Sequence, residues 1–169
     1  MLITTAVTKQ DVEQIAQQHL IKEQPFYEPQ GKELELLARL DHIGKGVGII
    51  GPTGSGKSRL LEYWAWKQQR PLFTVPGNES VDASVVLGSK YVIGGETRFI
   101  PGPAYWAVAG GGHLYLDEIL DMHSSVFPVA FPMTDWRKRL EIPDTGEVVP
   151  AEQGFAFRYS TNPGRQYRA

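Results

Sequence analysis

The sequence predicts an α/β domain in which a mostly parallel sheet is flanked by helices. Three observations predict it. Short apolar runs of the length of buried strands recur at Val47–Ile50, Leu72–Val75, His113–Leu116 and Phe155–Ser160. Segments with apolar residues at helical spacing lie between several of them, and strands alternating with helices form a parallel sheet covered on both faces. The composition is that of an ordinary globular chain: 169 residues, 41% hydrophobic and 21% charged, enough for one sizeable core. Eighteen glycines and twelve prolines exceed average usage and predict many tight turns.

From Thr8 to Leu20, Val12, Ile15, Ala16 and Leu20 fall on one helical side, with Thr8 as N-cap. Pro25 and Pro29 push their predecessors out of the helical region, so Gln24 to Gln30 is a connector. A second helix runs from Lys32 to Asp41, with Leu34, Leu37 and Leu40 aligned, and Gly44 stops it. The strand Val47–Ile50 follows, then a glycine-rich turn and a helix over Lys57–Gln68. After the strand Leu72–Val75, a weak helix over Val81–Leu87 leads to Lys90–Ile93 and Thr97–Ile100, which flank Gly94-Gly95 as a hairpin. A helix over Pro103–Ala109 precedes the strand His113–Leu116. Arg139–Ile142 and Glu147–Val149 flank the turn residues Pro143 to Gly146, a second hairpin. Phe155–Ser160 is the last strand. We divide the chain into an N-terminal helical segment, 1–25, and a core, 26–169.

Several function classes are excluded. With 17 Lys and Arg against 19 Asp and Glu, the net charge of −2 gives no global positive field for nucleic acid or anionic lipid. No groove of alternating aromatic and basic residues suggests a single-stranded nucleic acid. The absence of cysteine removes disulfides, thiolate metal sites and a cysteine nucleophile. Met1 to Thr8 lacks the basic flank of a signal peptide, and no apolar run approaches the roughly 18 residues of a membrane span. The expectation is a cytoplasmic domain without membrane or nucleic-acid partners. His19, His42, His113 and His123 show no metal-ligand spacing and are expected to pack or face solvent, while Trp64, Trp66 and Trp106 are expected to pack helices.

Two motifs carry chemistry. Gly51-Pro52-Thr53-Gly54-Ser55-Gly56-Lys57-Ser58 fits G-x-x-x-x-G-K-[ST], with a buried strand before it and an amphipathic helix after it. Glycines let successive N–H groups turn inward around a phosphate, and the helix N-terminus adds its own unpaired donors. In this arrangement Lys57 reaches the β- and γ-phosphates and Ser58 ligates Mg²⁺. The second motif, Leu116-Asp117-Glu118, ends a buried strand where the ligand crevice of such a sheet lies. Asp117 is assigned to the metal and Glu118 to the attacking water; an acidic first turn of the next helix is the plainer alternative.

The chain resembles the AAA+ ATPases of the MoxR superfamily, and within them the CbbQ/NorQ group. The resemblance rests on Phe26-Tyr27-Glu28-Pro29-Gln30-Gly31, on the two motifs above, on Met133 to Arg139, and on Asn162-Pro163-Gly164. It implies an incomplete AAA+ core that uses ATP and Mg²⁺, with Asn162 as the sensor that aligns the attacking water. It also implies that Arg139 to Val149 is an inserted hairpin used on partners. For the intact protein it implies a homo-hexameric ring that remodels or activates a metalloenzyme client, with a von Willebrand A-domain partner. Two departures stand out. Pro101 occupies a position where the family has an acid, and the chain stops at Ala169, before the family's next strand, arginine finger and lid. The expectation is a fold truncated before the lid, whose missing strand would pair beside Val47–Ile50. Two readings are open for Arg137, Lys138 and Arg139, a face toward a neighbour's nucleotide in a ring and, more plainly, a solvated basic run; Arg158, Arg165 and Arg168 are further finger candidates. Two other functions are open to the same residues: a phosphotransferase acting on a small molecule, and a nucleotide-binding module without turnover.

Overall fold

Residues 7–164 are described by a computed structural model. Helix α1 (Lys9–Gln18) opens with a capping box, in which the Thr8 side chain accepts from the Asp11 N–H and the Asp11 side chain accepts from the Thr8 N–H. Helix α2 (Glu33–Ile43) ends at Gly44, whose φ of 67° supplies the left-handed cap the sequence calls for. Then come β1 (Val47–Ile50), α3 (Lys57–Gln68), β2 (Leu72–Pro76), α4 (Ala83–Leu87) and a hairpin of β3 (Gly88–Ile93) and β4 (Glu96–Pro101). Helix α5 (Pro103–Ala109), β5 (His113–Asp117), one 3₁₀ turn (Ile119–Asp121) and α6 (Val126–Thr134) follow. A second hairpin, β6 (Arg139–Ile142) and β7 (Glu147–Pro150), precedes β8 (Ala156–Thr161).

Every strand and hairpin read from the sequence is present, within two residues at each end. Helix α6 is the element the sequence reading lacks. Pro128 and Pro132 look like helix breakers, yet Pro128 sits in the first turn and Pro132 near the end, and burial of Val126, Ala130 and Met133 stabilises what the prolines disfavour.

The sheet is entirely parallel, in the order β1-β8-β5-β2, so the last strand in sequence is inserted between the first and the fifth. Side chains of period two face opposite sides. Leu114, Leu116, Phe73, Val75 and Phe157 enter the larger core under α4, α5 and α6. Tyr115 and Leu72 face Leu61 and Ala65 of α3, and Val47 joins Leu37 of α2 and Leu60 and Trp64 of α3. Among the described residues β1 pairs only with β8, and Ile50 at its end is 68% exposed. Helix α1 lies along α5, where Val12 and Ala16 approach Gly110.

One buried polar network ties the α3 face together. The Asp41 carboxylate accepts from Trp64 Nε1 at 2.8 Å and Gln68 Nε2 at 3.0 Å, and pairs with the fully buried Arg158 guanidinium. Gln68 Oε1 in turn meets His113 Nε2 at 2.8 Å. Burial resists ionisation of Asp41, but the Arg158 charge and the three side-chain hydrogen bonds outweigh it and hold the carboxyl below its usual range. Burial, then the nearby Arg158 charge, pulls the His113 imidazole down to about 3. This places a pH limit on the fold. A base whose folded pKa lies below its unfolded value of 6.5 favours folding fully above pH 6.5 and loses that contribution as pH falls toward 3. The expected result is a stability loss approaching ~1.4 kcal/mol per pH unit in that window, read by calorimetry; His113→Gln should flatten it.

Candidate functional site

The C-terminal ends of three neighbouring strands meet at one crevice. Strand β1 delivers Gly51 to Ser58, β5 delivers Asp117 and Glu118, and β8 delivers Asn162. This is the position a parallel sheet offers a ligand, beyond the carboxyl ends of its strands. Gly54 and Gly56 adopt φ of 82° and 84°, a region costly for residues with a Cβ, and a Cβ built on either meets nothing within 4 Å. Helix α3 begins at Lys57 with no side-chain cap, so its first N–H groups stay free to serve the crevice.

Lys57 is 8% exposed, and its amine donates to the carbonyls of Gly51 at 2.9 Å and Pro52 at 3.1 Å. It also pairs with Glu118 Oε1 at 3.2 Å. Ser58 Oγ lies 3.4 Å from Asp117 Oδ2 and 3.2 Å from the Tyr115 hydroxyl. Asp117 Oδ1 accepts from Tyr115 at 2.6 Å and from Ser160 at 2.5 Å. Burial first, then the bond to Asp117, pushes the Tyr115 hydroxyl up to about 12, which keeps it protonated as a donor. Glu118 is held at φ 49°, ψ 54°, and its N–H donates to Ser160 Oγ at 2.8 Å. Asn162 Nδ2 donates to Thr53 Oγ1 at 2.8 Å across the phosphate loop, while its Oδ1 accepts from the Gly164 N–H.

The phosphate loop from Gly51 to Ser58, the acids Asp117 and Glu118, and Asn162 are therefore brought together at the carboxyl ends of β1, β5 and β8. The oxygen pair of Ser58 and Asp117 has the hard-donor chemistry that suits Mg²⁺, which takes few protein ligands and completes its shell with phosphates and water. The loop's open glycines and the uncapped start of α3 fit a phosphate chain. Sequence reading passed over three residues. Tyr115 and Ser160 each stand two positions before a motif residue, so strand alternation puts them on the motif's face, and this signal was available. Gly77 had no such signal. A Cβ there would lie 2.3 Å from the Glu118 carbonyl oxygen and 2.5 Å from that of Asp117. Gly77→Ala should therefore push the two carboxylates from their places and cost about 1–3 kcal/mol, the range for overpacking, measurable by urea unfolding.

Two readings of arginines need correction. Arg158 is no finger candidate: it is wholly buried and paired with Asp41 on the face under α2 and α3. Arg137 to Arg139 are not a freely solvated run. Arg137 bonds Asp135 and Glu141, Arg139 bonds Glu141, and Lys138 donates to the Gly44 carbonyl. The acids are sequence neighbours of the arginines, two to four positions away, and only the Gly44 carbonyl, 94 positions from Lys138, is brought within reach by the fold. Arg165 and Arg168 lie outside the described residues.

The chain is similar to known proteins. The AAA domain family, dynein-related subfamily, matches residues 46–168. Protein CbbQ of Hydrogenophilus thermoluteolus is 37% identical over 88% of this chain and 56% of its own. Protein NorQ of Paracoccus denitrificans is 39% identical over 84% of this chain and 53% of its own. The denitrification regulatory protein NirQ of Stutzerimonas stutzeri is 38% identical, covering 84% and 52%. The chain spans about half the length of these relatives. A crystal structure from Cytophaga hutchinsonii shares the fold, with a TM-score of 0.58 at 17% identity over 79% of this chain and 39% of that one. The chain belongs to the AAA domain family, dynein-related subfamily, and is similar to the CbbQ, NorQ and NirQ proteins.

Proposed function

We propose that this chain binds Mg-ATP at the phosphate loop and hydrolyses it, and that turnover serves to remodel or activate a partner metalloenzyme. The observation that carries the reading is the convergence of Lys57, Ser58, Asp117, Glu118 and Asn162 on one crevice. Magnesium, which Ser58 and Asp117 would hold, would supply charge neutralisation at the phosphate oxygens. The remaining work falls to the chain's own groups. N–H groups of the loop and of α3 hold the phosphates. Lys57 exchanges its ion pair with Glu118 for phosphate oxygens and offsets the charge that develops on them. Glu118, released from Lys57, accepts a proton from the water that attacks the γ-phosphorus, and the bond to the departing ADP oxygen breaks. Asn162, tethered by Thr53, orients that water.

The client and assembly rest on the likeness to CbbQ and NorQ. The reading is a cytoplasmic homo-hexameric ring that works with a von Willebrand A-domain partner on carboxylase or nitric oxide reductase clients. Among the described residues no helix is long and apolar enough to cross a membrane. The β6–β7 hairpin is the proposed partner contact. Tyr105 of α5 anchors it through a 2.9 Å bond to Glu147, and Val148 is exposed on it. Phosphate release per chain, followed over a range of chain concentrations, tests the assembly. A rate that climbs with concentration supports a ring in which neighbours complete each other's sites. A rate independent of concentration contradicts it and favours a monomeric phosphotransferase.

A further inference from the structure

We infer that the hydroxyls of Tyr115 and Ser160 form a clamp that fixes the Asp117 carboxylate, reserving Asp117 Oδ2 for the cation beside Ser58; both are positioning residues for magnesium. The inference rests on the Mg-ATP reading above. Its ground is the distribution of donors on one side chain. Tyr115, 1% exposed on β5, and Ser160, fully buried on β8, both donate to the same oxygen, Asp117 Oδ1, at 2.6 and 2.5 Å. An ionised carboxylate only accepts, so two donors on Oδ1 leave Oδ2 as the oxygen directed at the crevice. Oδ2 is the atom 3.4 Å from Ser58 Oγ.

The protons of the cluster are then accounted for. Tyr115 and Ser160 each have one, and both point at Asp117. Ser58 therefore directs its own proton toward the Tyr115 oxygen, 3.2 Å away, or toward Oδ2, 3.4 Å away, and keeps its lone pairs for a cation. Ser160 Oγ has a second task, accepting the Glu118 N–H at 2.8 Å where that residue is held in the left-handed region. One hydroxyl on the strand that ends in Asn162 thus sets the places of both adjacent acids. Groups that orient a metal-binding carboxylate from behind are commonly worth 10–100-fold in metal affinity.

The test uses the full chain with the Glu118→Gln substitution, so that added ATP persists, and Mn²⁺ as the cation, counted by electron paramagnetic resonance. Tyr115→Phe and Ser160→Ala should each weaken Mn²⁺ binding to the ATP-loaded protein about tenfold or more, while ATP affinity measured in EDTA stays within about twofold of the parent. Tyr105→Phe, which deletes a comparable buried tyrosine–carboxylate bond to Glu147 away from the crevice, should change neither value. Mn²⁺ binding at parental strength in both clamp variants overturns the inference, as does an equal loss of ATP affinity in EDTA. Should Ser160→Ala fail to fold, the shape-conserving Tyr115→Phe decides alone. If the parent binds no ATP with or without cation, the Mg-ATP reading itself fails, an outcome distinct from a clamp without effect.

Discussion

Exchanging Glu118 for glutamine is expected to slow ATP turnover by roughly 10²–10⁴-fold, the usual contribution of a positioned proton acceptor, while ATP binding persists. Glutamine keeps the side-chain length and the backbone bond from the 118 N–H to Ser160, so the left-handed turn should survive. What disappears is the carboxylate that pairs with Lys57 at 3.2 Å and that, once Lys57 engages phosphate, is free to take a proton. Phosphate release and ATP binding measured on the same preparations check this. Unchanged turnover would remove Glu118 from the mechanism and leave Asp117 or a group outside 7–164 as the acceptor.

The second large effect is on stability. Asp41→Ala should cost about 3–5 kcal/mol, because it leaves the Arg158 guanidinium buried without its counter-charge. That guanidinium already has an unpartnered Nε, and the substitution also strands Trp64 Nε1 and Gln68 Nε2. Replacing both charges with apolar residues, Asp41→Leu with Arg158→Met, should recover most of the loss, since a buried pair exchanged for packed hydrocarbon is often close to neutral. Denaturant unfolding of the singles and the double forms the cycle. If Asp41→Ala costs no more than a surface substitution, about 0.5 kcal/mol or less, the network is ornamental to the fold.

The elements and the crevice differ in how legible they were from sequence alone. Strands such as Leu72–Val75 and the helix over Lys57–Gln68 announce themselves because local pattern and final burial agree. The hairpin turns at Gly94-Gly95 and Pro143 to Gly146 are written in residues that few other conformations favour. Helix α6 was hidden because its stability comes from tertiary burial of Val126, Ala130 and Met133, which overrides the local cost of two prolines. Within the site, the phosphate loop and the acidic pair are contiguous in sequence and so could be found. The Asp41–Arg158 pair is separated by 117 positions, and Gly77 matters only because the Asp117 and Glu118 carbonyls pass over it. Contacts of that kind are set by the order β1-β8-β5-β2, and residue patterning along one strand carries no information about them. Arg158 shows the hazard of reasoning from charge: an arginine near a sensor residue invites a catalytic role, yet strand alternation turns it to the opposite side of the sheet from Phe157 and Tyr159.

The most direct measurement is calorimetric titration of Mg-ATP into the chain and into its Lys57→Ala variant. One site per chain is expected in the parent, with a loss of binding of about 100-fold or more in the variant, within the scale of about 2–5 kcal/mol for truncating one partner of a buried charge pair. Equal binding by both proteins, or none by the parent, would contradict the Mg-ATP reading.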